Sequence, residues 1–493
     1  MGKAENCPGL PVAILALCTW ASGVAGTASY SSRMETEGLG LRVDDVNRNA
    51  AGRAVMQSTL VSQIQHLADL QNGSTVHRWS QEVVDARLNF SMKRFPSLVS
   101  TSLVMREEER PTRSQHGSTI AEVAPGVILA AWFGGTYEKM GDVGIWTARY
   151  QDGHWGPPSQ MAWPERQPLR GGSDILVPCW NPVLLHLPSR KTTFLFYKVG
   201  PAVRLWKGYV VRSKDGGLTW GPAQELPTGI LGPVKNPPIV LEDGTIISPS
   251  STEDGVWKAH VEISKDGGAT WARGEDLSHR KGIIQPAIMR TVDGKLRMVM
   301  RSRKENVMVT AESSNDGRTW QRPVATKLRS PNSGLCGVTL ADGRVVVVHN
   351  RGVGVNRHVL AVSISNDSGA HYSTAVLLED ARQTYERVEE CKAKGQRRHW
   401  DRPEFSYPTI IQSPTDGLLH ITYTFSYFGS GGHCTGRENI KHVVLDPCKL
   451  GNPSRAPRPC APPSRSARLG TDGSGTHRLQ TTRGADAHSL SAS

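Results

Sequence analysis

The chain is expected to fold as an all-β array of short repeats, and three observations carry this. The stretch "SKDGGLTW" at Ser213 to Trp220 returns as "SKDGGATW" at Ser264 to Trp271. Fainter copies, "SSNDGRTW" at Ser313 to Trp320 and "SNDSGAHY" at Ser365 to Tyr372, continue the series at a period of about 50 residues, the length of one propeller blade or a similar unit. β-type runs such as "KGYVVR" and "VLAVSI" precede the copies, and helical periodicity is almost absent between Leu98 and Asp446, apart from a polar stretch near Ala381 to Lys394.

From the N-terminus, Lys3, the apolar run "LPVAILALCTWASGVAG" and the small residues Gly23 and Ala25 read as a cleavable secretory signal over residues 1–25. Glu5 weakens the basic start, so an uncleaved anchor is the alternative. Residues 26–97 are polar and irregular, with helix-like spacing only at Val55 to Gln71, and read as an arm or stalk. The repeats occupy 98–449. Residues 450–493, with "RAPRPCAPPSRSARLG", are too rich in Pro, Ser, Gly and Arg to bury a core and are expected to be disordered. A secreted or secretory-pathway protein would carry glycan at the sequons Asn72 and Asn89.

Within the body each copy reads as a turn between strands. Asp bonds nearby backbone, Gly supplies the positive φ, and the closing aromatic packs inward. "YQDGHW" at Tyr150 to Trp155 is a degenerate relative one blade earlier. These boxes are folding punctuation rather than chemistry. A content of 50 Gly and 31 Pro suits a turn-rich β protein, whereas 38% hydrophobic residues and no apolar run of membrane-spanning length argue against stable membrane insertion. The formal charge of +13 is concentrated in the tail and in "CKAKGQRRHWDR" at Cys391 to Arg402. It reads as solvated surface charge, so no nucleic-acid partner is expected. Of 8 cysteines, Cys391, Cys434 and Cys448 are candidates for one disulfide, while Cys179 and Cys336 look like core residues. No ligand spacing for a metal appears, and no cofactor is expected.

The boxes, their spacing and the stretches "GSTIAEVAPGVILAAWFGG", "CWNPVLLH", "LGPVKNPPIVLEDGTIISPSS" and "EFSYPTI" resemble the sialidase (neuraminidase) superfamily, in its bacterial Asp-box form. The likeness runs from about Arg113 to Asp446. It implies a six-bladed β-propeller whose site lies over the central axis. It also implies three arginines that hold a substrate carboxylate, an acid/base aspartate, and a nucleophilic tyrosine activated by a glutamate. Carried over residue by residue, Tyr407 matches the nucleophile, and Asp142, with Glu138 as competitor, matches the acid/base. Arg301, with Arg303 as alternative, and Arg357 match two of the arginines.

Two departures stand out. His116 and Gly117 occupy the place of the first arginine, and Gln285 that of the activating glutamate, leaving Glu404 as the nearest acid in sequence to Tyr407. A histidine there can serve as a general base. Lys235 and Asn332, with Lys198 and Asn236, are further candidates to line the mouth. The resemblance thus implies an exo-α-sialidase-type hydrolase acting on the terminal acidic sugar of a glycan or glycoconjugate. The alternatives are a lyase or glycosidase for uronate-containing polysaccharide, and a carbohydrate-binding propeller without turnover.

Overall fold

The structure, a computed structural model, describes residues 81–88, 92–168, 174–354, 356–381, 403–426 and 437–451. The expected signal segment, the Val55 to Gln71 stretch, both sequons, Cys391, Cys434, the basic tail and nearly all of the Ala381 to Lys394 stretch lie outside these residues. Cys448 is disulfide-bonded to a residue that also lies outside them.

Helix α1 (Gln81–Leu88) and strand β1 (Leu98–Leu103) precede the repeats. The first blade holds β2 (Ser114–Ala124), β3 (Val127–Gly135), β4 (Gly144–Gln151) and β5 (His154–Trp155), with β6 (Ser159–Ala162) also on β4. A hairpin, β7 (Glu165–Pro168) and β8 (Asp174–Val177), leads to the second blade: β9 (Cys179–Leu187), β10 (Thr192–Val199), β11 (Lys207–Ser213) and β12 (Gln224–Glu225). The third comprises β13 (Ile239–Val240), β14 (Ile246–Thr252), β15 (Lys258–Ser264), β16 (Ala272–Arg273) and β17 (Leu277–Ser278). The fourth comprises β18 (Ile283–Arg290), β19 (Leu296–Ser302), β20 (Val307–Ser313) and β21 (Val324–Arg329). The fifth comprises β22 (Cys336–Thr339), β23 (Val345–Asn350), β24 (Val359–Ser365) and β25 (Ser373–Asp380). The sixth has β26 (Phe405–Gln412), β27 (Leu419–Phe425) and β28 (Asn439–Leu445), and takes β1 as its outer strand. All pairings are antiparallel, and β1 on β28 closes the six-bladed ring with the two ends of the domain.

The apolar core is divided by the blades. One cluster fills each of the six interfaces, from Leu129 and Leu195 between the first and second blades to Ile120, Trp132 and Ile440 between the sixth and first. Each blade therefore buries both faces against neighbours, and removing one would expose two clusters.

The boxes link third to fourth strands at one end of the ring. In the first full copy Ser213 Oγ accepts from Gly217 N at 2.7 Å and donates to Asp215 Oδ1 at 2.7 Å, and Asp215 Oδ1 accepts from Thr219 N at 2.9 Å. Ser264, Asp266, Gly268 and Thr270 repeat this, and in the last box His371 replaces Thr, with Nδ1 at 2.7 Å from Asp367 Oδ2. Gly217 has φ +86°, and a Cβ there would meet Leu129 of the preceding blade at 2.6 Å. The glycine thus serves both the turn and the contact between blades. Trp220 and Trp271 pack, partly buried, on the interface clusters.

Two features differ from expectation. The arm read as irregular includes α1, whose Val84 is fully buried in the cluster between the fifth and sixth blades. Its Leu88 carbonyl accepts from Lys441 Nζ at 2.5 Å. Val84, the Leu88 carbonyl and Gln81 Oε1, which accepts from Glu107 N at 3.4 Å, dock this helix, and eight residues carry too little periodicity to be read in advance. The β7–β8 hairpin had no sequence expectation either. Among the described residues no helix is long and apolar enough to cross a membrane. Cys179 and Cys336 are buried and free, as expected.

Candidate functional site

The innermost strands of four blades carry the same irregularity near their first residues. Each has one extra residue against its partner strand, and a residue with positive φ sits at the bulge: Gly117 (64°), Asn181 (35°), Gln285 (55°) and Tyr407 (54°). Such bulges re-aim side chains, here at the end of the ring opposite the boxes. In three of them the next residue is proline, within "WNP", "IQP" and "SYP", and "KNP" precedes the third blade with the same x-Pro but without the positive φ. That recurring x-Pro was visible in the sequence and marks the axial positions better than any single residue.

Around this axis the structure brings Tyr407, Arg301, Gln285, Asn332, Arg357, Glu404 and His116 together. Arg301, at the end of β19, donates from Nη1 to Tyr407 Oη at 2.7 Å and to Gln285 Oε1 at 3.0 Å, and from Nε to Asn332 Oδ1 at 2.5 Å. All three acceptors are neutral, although the residue is only 7% exposed. Arg357 donates to Glu404 Oε1 at 2.8 Å and to the Asn332 carbonyl at 3.3 Å, and its guanidinium lies 5.3 Å from the Tyr407 ring centroid. Asn332 therefore positions both arginines. Arg303, the alternative to Arg301, lies over Trp257 at 5.3 Å from its centroid.

Sequence reasoning missed Arg437. It donates from Nε to Glu404 Oε2 at 3.0 Å and from Nη1 to Glu138 Oε2 at 2.6 Å, supplying a third guanidinium from the sixth blade. Its signal was positional: Arg357 and Arg437 each stand two residues before the third strand of their blades. The sixth blade has no box after that strand, so box spacing did not point to it.

Glu404 does not serve Tyr407 in this arrangement. Its oxygens accept from Arg357, Arg437 and Ser406, the last at 2.6 Å. Burial would raise its carboxyl, but Arg437 and Arg357 outweigh that and hold it well below the carboxylate range. Glu138 is likewise held at about 2, with Arg437 overcoming burial. Among the described residues no acceptor bonds the phenolic proton of Tyr407. Asp142 sits in the β3–β4 loop, where its Oδ2 accepts from Thr136 N and Oγ1, both at 2.7 Å, while its buried Oδ1 has no partner among the described residues. Glu253, just after β14, was also missed; burial raises its carboxyl against the opposing pull of Arg301.

Lys235 has a different place from the one expected. It is 3% exposed, and Nζ donates to Asn236 Oδ1 at 3.0 Å, to the Leu335 carbonyl at 3.1 Å and to the Pro408 carbonyl. An ammonium has three donors; one is taken by the neighbouring Asn236 and two reach the Leu335 and Pro408 carbonyls at the fifth and sixth blades. Lys198 similarly donates to the Pro233 carbonyl, and burial lowers it to about 7. Asn236 Nδ2 reaches the Gln285 and Pro286 carbonyls at 3.0 and 3.1 Å. These three residues support the site from below.

His116 lies beside Tyr407, with ring centroids 4.3 Å apart and planes tilted by 50°. Its Nδ1 is 2.8 Å from Thr424 Oγ1, and its buried Nε2 has no partner among the described residues. Burial, with Arg437 adding to it, lowers the imidazole to about 3, so it is neutral near pH 7.

No curated protein matches the chain by sequence. Among solved structures it is similar to a Dyadobacter fermentans protein of unknown function, at TM-score 0.52 and 16% identity over 71% of this chain and 100% of that one. It is also similar to the intramolecular trans-sialidase of Ruminococcus gnavus, at 0.52 and 13% over 72% and 99%. The NanB sialidase of Streptococcus pneumoniae matches at 0.54 and 13% over 76% and 73%. These likenesses show the sialidase-type propeller fold. Residues 126–421, well over half of the chain, match the BNR repeat-like domain, and the chain belongs to that family.

Proposed function

We propose that the protein binds the terminal acidic sugar of a glycan or glycoconjugate over the propeller axis and cleaves it as an exo-α-sialidase-type glycoside hydrolase. One observation supports the reading: Arg301 is a buried cation whose hydrogen-bond partners among the described residues are all neutral. Glu404 and Glu138 pair directly with Arg357 and Arg437, whereas Arg301 makes no direct ion pair among the described residues and Glu253 acts on it only through space. A buried charge without a counterion is costly, and a substrate carboxylate would supply the missing one with bidentate geometry. Gln285 fits this reading. A glutamate at that place would neutralise Arg301, whereas the amide orients it and leaves its charge for the ligand.

Tyr407 is the nucleophile in this reading, attacking as the tyrosinate once its phenolic proton has passed to solvent water, with Arg301 at its oxygen and Arg357 beside its ring to stabilise the negative charge. A proton carried on Asp142 Oδ1 would pass to the leaving oxygen as the glycosidic bond breaks, and the water that then hydrolyses the glycosyl–Tyr407 bond would return one to it. Cleavage of the leader-like residues 1–25 would place the site in the secretory pathway or outside the cell. A second reading, a carbohydrate-binding propeller without turnover, is favoured by the missing acceptor for the Tyr407 proton.

The test is to incubate purified protein with an α-sialoside and measure both sialic acid release and binding by calorimetry. Release that vanishes in Tyr407→Phe, with the dissociation constant changed only a few-fold, is the expected result. Binding without release selects the second reading, and no binding of a sialoside or of free sialic acid overturns both.

A further inference from the structure

The imidazole of His116 can act as a base, as an acid or as a neutral hydrogen-bond donor, and the bonds of its neighbours decide among these. A threonine hydroxyl has one proton and two lone pairs, and a neutral imidazole has one N–H and one bare nitrogen. Thr424 is fully buried in β27. Its Oγ1 accepts from Gly117 N at 3.3 Å, and the other atom it meets is His116 Nδ1 at 2.8 Å. Among the described residues its proton therefore has one acceptor, Nδ1. In that arrangement the hydroxyl is satisfied on both sides and the imidazole carries its hydrogen on Nε2. In the reverse arrangement Thr424 would accept twice, its own buried proton would have no acceptor, and Nε2 would be bare as well. An unmade buried hydrogen bond of this kind shifts the balance by about ten- to a hundredfold.

We propose that Thr424 is a positioning residue that fixes His116 as the Nε2–H tautomer, so that the ring donates a hydrogen bond to an oxygen of the bound sugar and takes no proton from it. The proposal deepens the acidic-sugar reading and rests on it for the identity of the ligand. Its consequence is chemical. In this tautomer the bare nitrogen is Nδ1, which is already bonded to Thr424, so no lone pair is left to remove the α-proton of a uronate. The low affinity of the buried ring for a second proton also removes the imidazolium as an acid. A neutral imidazole that donates without transferring its proton is an established way to polarise a substrate oxygen. Gly117 contributes to the geometry: a Cβ there would meet Phe133 Cε1 at 2.8 Å, and its φ of +64° directs its N–H to Thr424.

The experiment is nitrogen NMR of the full chain with labelled histidine, without ligand, assigning His116 by difference from His116→Gln. The expected spectrum has a pyrrole-like Nε2 and a pyridine-like Nδ1 at neutral pH. In Thr424→Val the pattern should shift toward the other tautomer, and Thr424→Ser should restore it. With an α-sialoside, Thr424→Val should lower kcat by about 10- to 10²-fold with a smaller change in KM. A pyridine-like Nε2 in the wild type, or a spectrum unmoved in a folded Thr424→Val, would overturn the proposal. The tautomer is read without ligand, so this failure is separate from failure of the acidic-sugar reading, which would show as absent sialoside binding beside the expected spectrum.

Discussion

The two ends of the propeller use the same kinds of side chain in opposite ways. At the box end Asp215 and Asp266 accept bonds from groups two to four residues away, and Ser213 and Ser264 close the same turns. The partners are local and neutral, and the carboxylates are satisfied within the turn. At the axial end Arg301 meets Tyr407 across 106 residues and His116 meets Thr424 across 308. Buried polar atoms without a partner among the described residues occur at both ends, Trp271 Nε1 and Tyr372 Oη in the boxes and His116 Nε2 and Asp142 Oδ1 at the axis, but only the axial end also holds a buried guanidinium, Arg301, with no direct ion pair among those residues. Local satisfaction stabilises a fold, whereas a buried charge without a direct counterion at a shared axis is what the proposed acidic ligand would answer.

The sharpest way to break this comparison is to remove a box-end anchor. Trp271 packs edge-on against Phe196 at 6.0 Å between ring centroids, and Trp271→Ala should cost about 3–5 kcal/mol of unfolding free energy with ligand affinity intact. Denaturant titration beside calorimetry checks both. Unchanged stability would remove the box from its structural role.

The reverse change belongs to the axis. Arg301→Gln should weaken sialoside binding by about 10²- to 10³-fold, in line with removal of a desolvated charge partner. It should leave thermal stability unchanged or raised, because a buried unpaired charge is removed. Normal affinity in Arg301→Gln would defeat the acidic-sugar site, and a large fall in stability would place Arg301 with the scaffold.

The smallest effect sharpens the comparison through pH. Glu138 is held at about 2 in the fold against an ordinary 4.5. Its contribution is therefore present above about pH 4.5 and fades as pH falls toward about 2. Wild type and Glu138→Gln should differ in unfolding free energy near neutrality and converge on acidification. A gap that widens in acid would show that the pairing with Arg437 does not stabilise the fold.

The repeat period, the turn chemistry of the boxes and the alternation of short strands were legible because each depends on residues within one blade. Tyr407, Arg301, Arg357, Gln285 and His116 were picked out by resemblance, and the structure brings them to one place. Their roles were less legible. Glu404 was expected beside the tyrosine as an acid, but it pairs with Arg357 and Arg437. Lys235 was expected to bind substrate, but its three donors are taken by Asn236 and by the Leu335 and Pro408 carbonyls. In both cases the deciding partners lie on other blades.

What the sequence determined by itself is the blade: turn, strand and partly buried aromatic repeat with a period set by local hydrogen bonds and alternating burial. What only the tertiary structure decided is the charge balance at the axis. Arg437 arrives from the sixth blade to occupy Glu404 and Glu138, and Arg301 is left without a direct ion pair among the described residues. Electrostatics between buried groups depends on distance in space, and a closed ring makes residues from six separate repeats neighbours.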